Sequence, residues 1–435
     1  MIGIIGCGAS GMMAAICAAR AGRQVTVLEH NDRPGRKLAV TGNGHCNLTN
    51  DNQTQEAYRT ADPEIASRIL ATFSKEELLA FFRQIGVLTR DKNGYWYPYS
   101  GNAQTVVAAL SAEMKRLGVR VLYGADTQSV IRLADGRYVV RAQVGSEMRE
   151  MTFDRLVLAC GGPAGDKLGQ SDFGFRALRR LSVAVSNYAP ALVPLQLDNP
   201  HSKMIAGVRM EAEVTLRADG AEHSERGEIV WTEYGVSGIP VMQVSRFASM
   251  AFKAREAASR GMDSGAYGRY AADASGRESG PVTITIRMMP DHTAEQIREI
   301  TEEMLTSARF ASEAAASVLG GMADAKIVRW ILLLAGVPED AACREISPDT
   351  RAMIADLFTR IELPVTGVRT YAQAQTTCGG VPLTEINPET MESYRCRGLY
   401  ITGELLDVDG TCGGYNLHWA FATGAAAGRA LGENR

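Results

Sequence analysis

Two short runs near the start of the chain are apolar at almost every position. Ile2–Ile5 and Val25–Leu28 read as strands covered on both faces, the pattern of a parallel sheet. Between them lies a small-sided helix built on Met12, Met13, Ala14, Ala15, Ile16, Cys17, Ala18 and Ala19, which stops near Ala21-Gly22. Residues 62–87 carry Ile65, Ile69, Leu70, Phe73, Leu78, Leu79, Phe81 and Phe82 at helical spacings, and 104–117 predicts another helix. A strand at 119–123 leads into an antiparallel meander over 129–133 and 138–144, turned by Asp135-Gly136. A buried strand follows at 156–159. The first 165 residues or so therefore read as one α/β domain with a small antiparallel excursion.

The pattern changes at 190–194. Strand-like alternation appears at 208–216, 228–232 and 282–286, and a Gly-, Ser-, Ala- and Arg-rich stretch at 254–281 reads as a partly helical surface excursion. Residues 294–361 are helical in three pieces, the last opened by Ser347-Pro348 as N-cap and first-turn residue. Strand and glycine patterns return from Val368. The division that follows is a discontinuous nucleotide-binding domain over 1–193 and 365–435, a β-rich insert over 194–290 and a helical insert over 291–364.

The junction of the first strand and helix reads Gly6-Cys7-Gly8-Ala9-Ser10-Gly11. Gly6 allows the tight turn, Gly8 lets backbone approach a diphosphate, and Gly11 lets the helix pack on the strand. The helix N-terminus aims unpaired N–H groups and positive dipole at the phosphates. Glu29 closes the second strand, where a carboxylate accepts both hydroxyls of an adenosine ribose and repels a 2′-phosphate, so the tightly bound nucleotide should not be NADP. Strand, glycine turn, helix and acid together make a dinucleotide site. They leave FAD and NAD both open.

Two further segments bear on that choice. A long polar, glycine-rich loop follows the second strand: Arg33-Pro34-Gly35-Arg36-Lys37, then Val40-Thr41-Gly42-Asn43-Gly44-His45-Cys46-Asn47-Leu48-Thr49-Asn50. Near the end, a strand at 398–402 runs into Gly403-Glu404, then Asp407-Val408-Asp409-Gly410, then Gly413-Gly414-Tyr415-Asn416-Leu417 at the start of a final helix. That is a second helix-dipole site. A flavin uses one, because its reduced ring carries negative charge at N1 and the C2 carbonyl; backbone N–H groups near 414–416 suit that edge, and Glu404 suits a ribityl hydroxyl. An enzyme using NAD alone has no need of it.

The 435 residues are 46% apolar and 22% charged, enough for a sizeable core in two or three domains. A net charge of −3 without a basic run speaks against nucleic acid as a main partner. No segment reads as a membrane span or a signal peptide. The eight cysteines form no CxxC pair and no Cys/His cluster of metal spacing, so they read as reduced thiols of a cytoplasmic protein, with no metal. Nothing in the sequence specifies an oligomeric state.

The segments GRKLAVTGNGHCNLTN, PALVPLQ, TEYGVSGIP, TTCGGVPLTEI and GLYITGELLDVDGTCGGYNLHWAFATGAAAG together resemble the YhiN/BaiN-like flavoproteins, over nearly the whole chain. The resemblance implies an FAD domain of the two-dinucleotide, Rossmann-like type related to glutathione reductase, with a β-barrel-like and helical insert as cap. It implies that Gly6, Gly8, Ala9, Ser10 and Gly11 hold the diphosphate and Glu29 the ribose. Arg36 and Lys37 lie near ribose and phosphates, and Thr41, Gly42, Asn43, Gly44 and Cys46 pass the flavin. Thr127 offers backbone to the adenine, while Ala159, Gly161 and Gly162 close over the nucleotide. Gly403, Glu404, Asp407, Gly410, Gly414, Tyr415, Asn416 and Leu417 surround the ribityl chain and pyrimidine edge. Tyr234 is carried on a loop toward the substrate. His45 and His418 stand where the family often has Arg and Gln, and either could add a proton donor. The catalytic candidates are Tyr234, His418 and Cys46.

The implied activity is hydride transfer between flavin N5 and a small organic substrate. The reading preferred is an NAD(P)H-fed reductase of a conjugated C=C; the alternatives are an aminoacetone-type amine oxidase that makes peroxide and, from another class, a flavin-binding RNA-modifying or sensor protein.

Overall fold

The structure is a computed structural model that describes residues 1–165, 171–259 and 280–433. The chain forms two compact units, Met1–Ala189 with Ala374–Arg435, and Pro190–Gln373.

The first unit is built on a five-stranded parallel sheet. In spatial order its strands are Leu399–Ile401, Arg155–Leu158, Ile2–Ile5, Val25–Leu28 and Arg120–Leu122. The register is close: Ile2 pairs with both Arg155 and Val25, and Val157 pairs with Tyr400. The edge strand Leu399–Ile401 comes from the far end of the chain, so the sheet is completed only after the whole second unit has been made. A three-stranded antiparallel sheet, Ala125–Arg132, Tyr138–Val144 and Glu147–Phe153, is the predicted meander with one more strand.

Two helices dominate the packing of this unit, Ala9–Arg20 and Tyr415–Gly432. They run parallel and nearly in backbone contact. A Cβ on Gly424 would lie 2.4 Å from the Ser10 carbonyl oxygen. One on Gly428 would lie 2.6 Å from that of Ala14, and one on Gly432 2.5 Å from the Ala21 Cβ. Glycine at every fourth position makes a flat stripe, and it faces the small residues that fill the first helix. Because Gly424 meets Ser10, the final helix begins eight residues earlier than its partner. At 1.5 Å per residue its N-terminus overhangs the other by about 12 Å.

The second unit holds a closed six-stranded barrel of Leu195–Leu197, Gly235–Gly238, Ala221–Thr232, Arg209–Ala218, Thr283–Arg287 and Ile361–Val368. The helices Ala294–Thr306, Ala325–Leu334 and Pro348–Thr359 share one hydrophobic core with it. Ser347 caps the last of them, its hydroxyl accepting from the Thr350 N–H at 3.2 Å. The strand Ile361–Val368 straddles the boundary drawn at 364/365, and the barrel cannot close without it, so the chain leaves this unit near residue 373. A helix over Ile239–Ser259 was not predicted. Its buried Val241, Val244, Ala248 and Ala251 lie at helical spacing, a stripe masked by the strand-like segments on either side. The rest of the predicted 254–281 excursion, 260–279, lies outside the described residues.

Candidate functional site

The carboxyl ends of the parallel strands bring the predicted residues together, where open α/β sheets bind ligands. Gly6 leaves the first strand at φ 103°, and a Cβ there would strike the Ala159 carbonyl oxygen at 2.5 Å. A Cβ on Gly11 would sit 2.0 Å from the Gly6 carbonyl oxygen. Both glycines are therefore demanded by the protein's own packing. Gly8 is not: a Cβ there would meet nothing within 4 Å among the described residues. It is the N-cap of the first helix and provides no side-chain cap. The Ala9, Ser10 and Gly11 N–H groups of that first turn have no helical partner and face this open space.

Glu29 ends the second strand and is 5% exposed. Its Oε2 accepts the Cys7 N–H at 2.8 Å, and its Oε1 accepts the Asn31 backbone N–H at 2.9 Å and the Asn31 side-chain amide at 2.7 Å. Burial pushes this carboxyl up, but hydrogen bonds from His30, Asn31 and Cys7 outweigh it and hold it below the usual range, so Glu29 is a carboxylate. Arg36 donates to the Asn31 side-chain Oδ1 at 2.7 Å, which extends the chain of bonds to the next element. The Ala125 N–H bonds the Glu29 carbonyl, which brings the buried Thr127 beside the same corner.

The predicted loop at 33–50 is partly helix: Arg36–Gly44 is helical with a break at Thr41, Gly42 and Asn43. Arg36, Lys37 and Leu38 form its first turn, and the glycines that suggested a loop make the break. Gly42, Asn43, Gly44 and Cys46 all have φ between 53° and 86°, a left-handed stretch that only glycine and asparagine adopt cheaply. The chain then wraps the N-terminus of the final helix. A Cβ on Gly414, its N-cap at φ 93°, would lie 2.8 Å from the Asn47 side-chain oxygen and from the Thr49 nitrogen. Asn416 clamps Gly410 reciprocally, accepting its N–H at 2.8 Å and donating to its carbonyl at 2.9 Å. Tyr415 packs edge-on against Tyr58, Leu417 lies against the core, and Asp407 is buried.

The two ends of the chain meet directly. Gly403, at φ 66°, has room for no Cβ because Ser10 Oγ would be 2.8 Å away. Lys37 Nζ donates to Glu404 Oε2 at 2.6 Å. Gly161 turns at φ 70°, and a Cβ on Gly162 would strike Thr377 Oγ1 at 2.6 Å and Glu404 Oε1 at 2.9 Å.

The catalytic candidates fare differently. His418 is buried, and both ring nitrogens are engaged: Nδ1 accepts from the Thr49 hydroxyl at 2.8 Å and Nε2–H donates to the Phe73 carbonyl at 3.0 Å. Burial lowers its pKa, so the ring is neutral. This is a structural histidine with no nitrogen left for a substrate. Cys46 is buried at φ 57°, and burial pushes its thiol up to about 12, which removes it as a thiolate. His45 is exposed, with Nδ1 on the Gly101 carbonyl at 2.8 Å. Tyr234 belongs to the second unit, in the turn between Ala221–Thr232 and Gly235–Gly238, with the Arg369 guanidinium 4.4 Å from its ring centroid. Among the described residues no cluster of His, Cys, Asp and Glu could hold a metal, and no helix is long and apolar enough to cross a membrane.

An elongated anionic dinucleotide fits these residues. Two helix N-termini about 12 Å apart along parallel axes point the same way. Glu404 Oε1 and Asn47 Oδ1 are buried oxygens without a partner among the described residues, so each leaves an acceptor for a ligand hydroxyl or N–H. FAD supplies a diphosphate, two sets of sugar hydroxyls and a ring N–H. Asn31, Asn47 and Thr377 were not singled out from the sequence, although Asn47 sits inside the GNGHCNLTN run and Thr377 inside TTCGGVPLTEI, both of which were.

Comparison with known proteins agrees. The family model described as the HI0933-like protein Rossmann domain matches residues 1–430. The chain is 35% identical over 435 residues to a 3-dehydro-bile acid delta(4,6)-reductase of Clostridium scindens, covering 99% of both chains. It is 26% identical over 425 residues to a ribosomal RNA dihydrouridine synthase of Haemophilus influenzae, covering 97% of this chain and 96% of the relative. Among solved structures, the 3-ketosteroid delta1-dehydrogenase of Sterolibacterium denitrificans, in complex with 1,4-androstadiene-3,17-dione, is similar in fold, with a TM-score of 0.50 at 12% identity and 99% coverage of both chains. This chain belongs to the HI0933-like family and is a flavin-dependent oxidoreductase built on a Rossmann-type FAD domain.

Proposed function

We propose that this protein is a cytoplasmic, FAD-dependent reductase that saturates a C=C conjugated to a carbonyl in a small organic molecule, with NAD(P)H as the electron source. The observation that carries the reading is end-to-end identity of 35% with a relative named for reducing such bonds in a 3-oxo bile acid. When bound, the flavin supplies a hydride donor. The chain supplies the rest. The first helix and its Gly8 turn would bind the diphosphate, Glu29 would hold the adenosine ribose, and Glu404 with Asn47 would orient the ribityl and pyrimidine end. The left-handed Gly42–Asn43–Gly44 stretch would bring backbone to that end. Neighbouring thiols take no part as thiolates, because burial raises Cys7 and holds Cys46 and Cys160 at about 12.

The test is anaerobic stopped-flow. Bleaching of the flavin by NADH or NADPH, followed by rapid recolouring with 3-oxo-4-cholenoic acid, is the expected result. Bleaching by aminoacetone instead, with peroxide formed in air, would replace this reading with an amine oxidase.

One observation favours a second reading. The relative at 26% identity is named for making dihydrouridine in ribosomal RNA, and dihydrouridine is also the product of saturating a C=C conjugated to a carbonyl. The chemistry is shared and the substrate is not. Recolouring of the reduced protein by ribosomal RNA fragments, with the enone inert, would establish it.

A further inference from the structure

One hairpin of the first unit presents a face made of cations and tyrosines. Its strands, Thr89–Lys92 and Tyr95–Pro98, are joined by Asn93-Gly94, both at positive φ (56° and 85°), the turn that suits the twist of paired strands. Arg90 pairs with Tyr97 and Lys92 with Tyr95, and the Tyr99 N–H carries the ladder on to the Leu88 carbonyl at 2.7 Å. Side chains alternate between the two faces of a strand, so Leu88, Arg90 and Lys92 share one face with Tyr95, Tyr97 and Tyr99. The opposite face holds Asp91, Trp96 and Pro98, with the Trp96 indole N–H on the Asp51 carboxylate at 2.7 Å.

On the first face each cation reaches diagonally to a ring. The Arg90 guanidinium lies 5.4 Å from the Tyr99 centroid, and the Lys92 ammonium 5.5 Å from that of Tyr97. Among the described residues no carboxylate pairs with either cation, and the Arg90 Nε is buried with no hydrogen-bond partner. Lys92, Tyr95 and Tyr99 are exposed.

The hairpin borders the segments assigned to the flavin end of the cofactor, all within the same unit. Thr49 pairs with Trp96 and Asn50 with Tyr95. A Cβ on Gly413 would lie 2.9 Å from Tyr95 Cε1, so this ring rests on the glycine turn that opens the final helix. At the other end of the strand, a Cβ on Gly101 would lie 3.5 Å from Arg90 Nη2 and 3.9 Å from His45 Nδ1, which puts the guanidinium beside the GNGHCN loop.

A tyrosine ring offers its face to a planar base, and a guanidinium and an ammonium offer N–H donors to phosphate oxygens. Tyr95 and Tyr99 are four residues apart, about 13 Å along the strand. Two rings at that spacing with two unpaired cations beside them match a ligand that has a planar ring at each end and a diphosphate between. Two cations are few for a polyanion, and a net charge of −3 works against one.

We propose that this hairpin face is the docking site of a nicotinamide dinucleotide, with Arg90 and Lys92 on its phosphates and Tyr95 and Tyr99 against its rings. As far as it makes that dinucleotide the electron donor, this rests on the reductase reading above.

The test is calorimetric titration of the FAD-loaded protein with NADP+ and NAD+, together with the KM for NADPH and NADH in flavin bleaching; a twelve-residue oligouridylate is the control probe. One of the two dinucleotides is expected to bind, and to bind at least tenfold more weakly in Arg90→Gln, in Lys92→Gln and in Tyr99→Ala. The KM for its reduced form should rise in step while kcat holds. FAD content, Tm and bleaching by dithionite should stay as in the parent, and Arg90→Lys should recover part of the loss. Dinucleotide binding that all three variants leave intact overturns the proposal, as does a parent that binds neither dinucleotide. Binding of oligouridylate alone, lost in the variants, overturns it too and gives the face to RNA. Bleaching by NADPH or NADH with KM unmoved by the variants would remove this site and leave the reductase reading standing. Dinucleotide binding lost in the variants, in a protein whose flavin neither NADPH nor NADH bleaches, would sink the reductase reading and leave the site.

Discussion

The Lys37 ammonium donates to the Glu404 carboxylate at 2.6 Å, across 367 residues of sequence and within one unit. It joins the helix after the second strand to the turn after the last. Both side chains are only partly buried, at 26% and 18% exposure, so the pair alone adds little to stability. Its consequence is positional: with Oε2 held by Lys37, Oε1 is fixed as an acceptor without a partner among the described residues. Glu404→Ala should therefore weaken FAD binding about tenfold or more, near 1.5–2 kcal/mol. Lys37→Met, which frees the carboxylate to rotate, should cost several-fold. FAD titration by fluorescence quenching reads both, and additive effects in the double variant would show that the pair does not act as a unit.

The three glycines of the first turn should separate in experiment. Gly11→Ala pushes a methyl group into the Gly6 carbonyl oxygen, and Gly6→Ala into that of Ala159, so both should lower the Tm of the apoprotein sharply or prevent folding. Gly8→Ala meets no atom of the described residues and has an ordinary extended backbone, φ −85°. It should leave the apoprotein Tm within about a degree and weaken FAD at least tenfold, because the methyl group enters the space in front of the helix N-terminus. A Gly8→Ala protein that binds FAD as the parent does would place the diphosphate elsewhere.

Glu29→Ala should weaken FAD by about 2–3 kcal/mol, roughly 30- to 150-fold. It also orphans the Cys7 N–H and the Asn31 amide, so the apoprotein loses stability too. Because hydrogen bonds hold this carboxyl below its usual range, its contribution is complete above the ordinary carboxylate pKa. It is lost as pH falls through the lowered folded value. The acid limb of apoprotein stability should therefore be flatter in Glu29→Gln than in the parent.

Much of this was legible beforehand because it is local. Strand, turn, helix and acid follow within 29 residues, with Gly6 and Gly11 where the backbone demands them. The parallel approach of the first and last helices was written in Gly424, Gly428 and Gly432, but its meaning depends on a partner over 400 residues away. Three things were hidden for the same reason. The break in Arg36–Gly44 turns on left-handed angles at Gly42 and Asn43, which a glycine-rich string suggests without specifying. The strand Ile361–Val368 belongs to the barrel because its ladder partners do, and no periodicity within eight residues says so. His418 read as a spare proton donor until Thr49 and the Phe73 carbonyl took its two nitrogens.

Glu113 offers a pH test away from the cofactor. It is 8% exposed and bridges Arg116 and Arg20, with Nε of each within 3.0 Å of its oxygens. The Arg116 and Arg20 bonds outweigh desolvation and hold the carboxyl down to about 2. A lowered folded pKa means stability present above the unfolded carboxylate range and lost as pH falls toward 2. Glu113→Gln should thus lower the Tm by a few degrees at pH 7, and the difference from the parent should shrink steadily below pH 4.5. A gap that persists at pH 2.5 would show that packing, not charge, carries the effect.

His418 supplies the sharpest test of the assignment of roles. Its neutral ring joins Thr49, beside the Gly414 turn, to the Phe73 carbonyl, so it holds the N-terminus of the final helix against the helices before it. His418→Ala leaves the Phe73 carbonyl and the Thr49 hydroxyl without this partner and opens a cavity, so it should cost about 2–4 kcal/mol of stability. His418→Gln, of similar reach, should recover part of that. Neither should move the pH profile of the reductive half-reaction, because the ring does not titrate near neutrality. A pH–rate profile altered by His418→Gln would return this ring to the catalytic machinery.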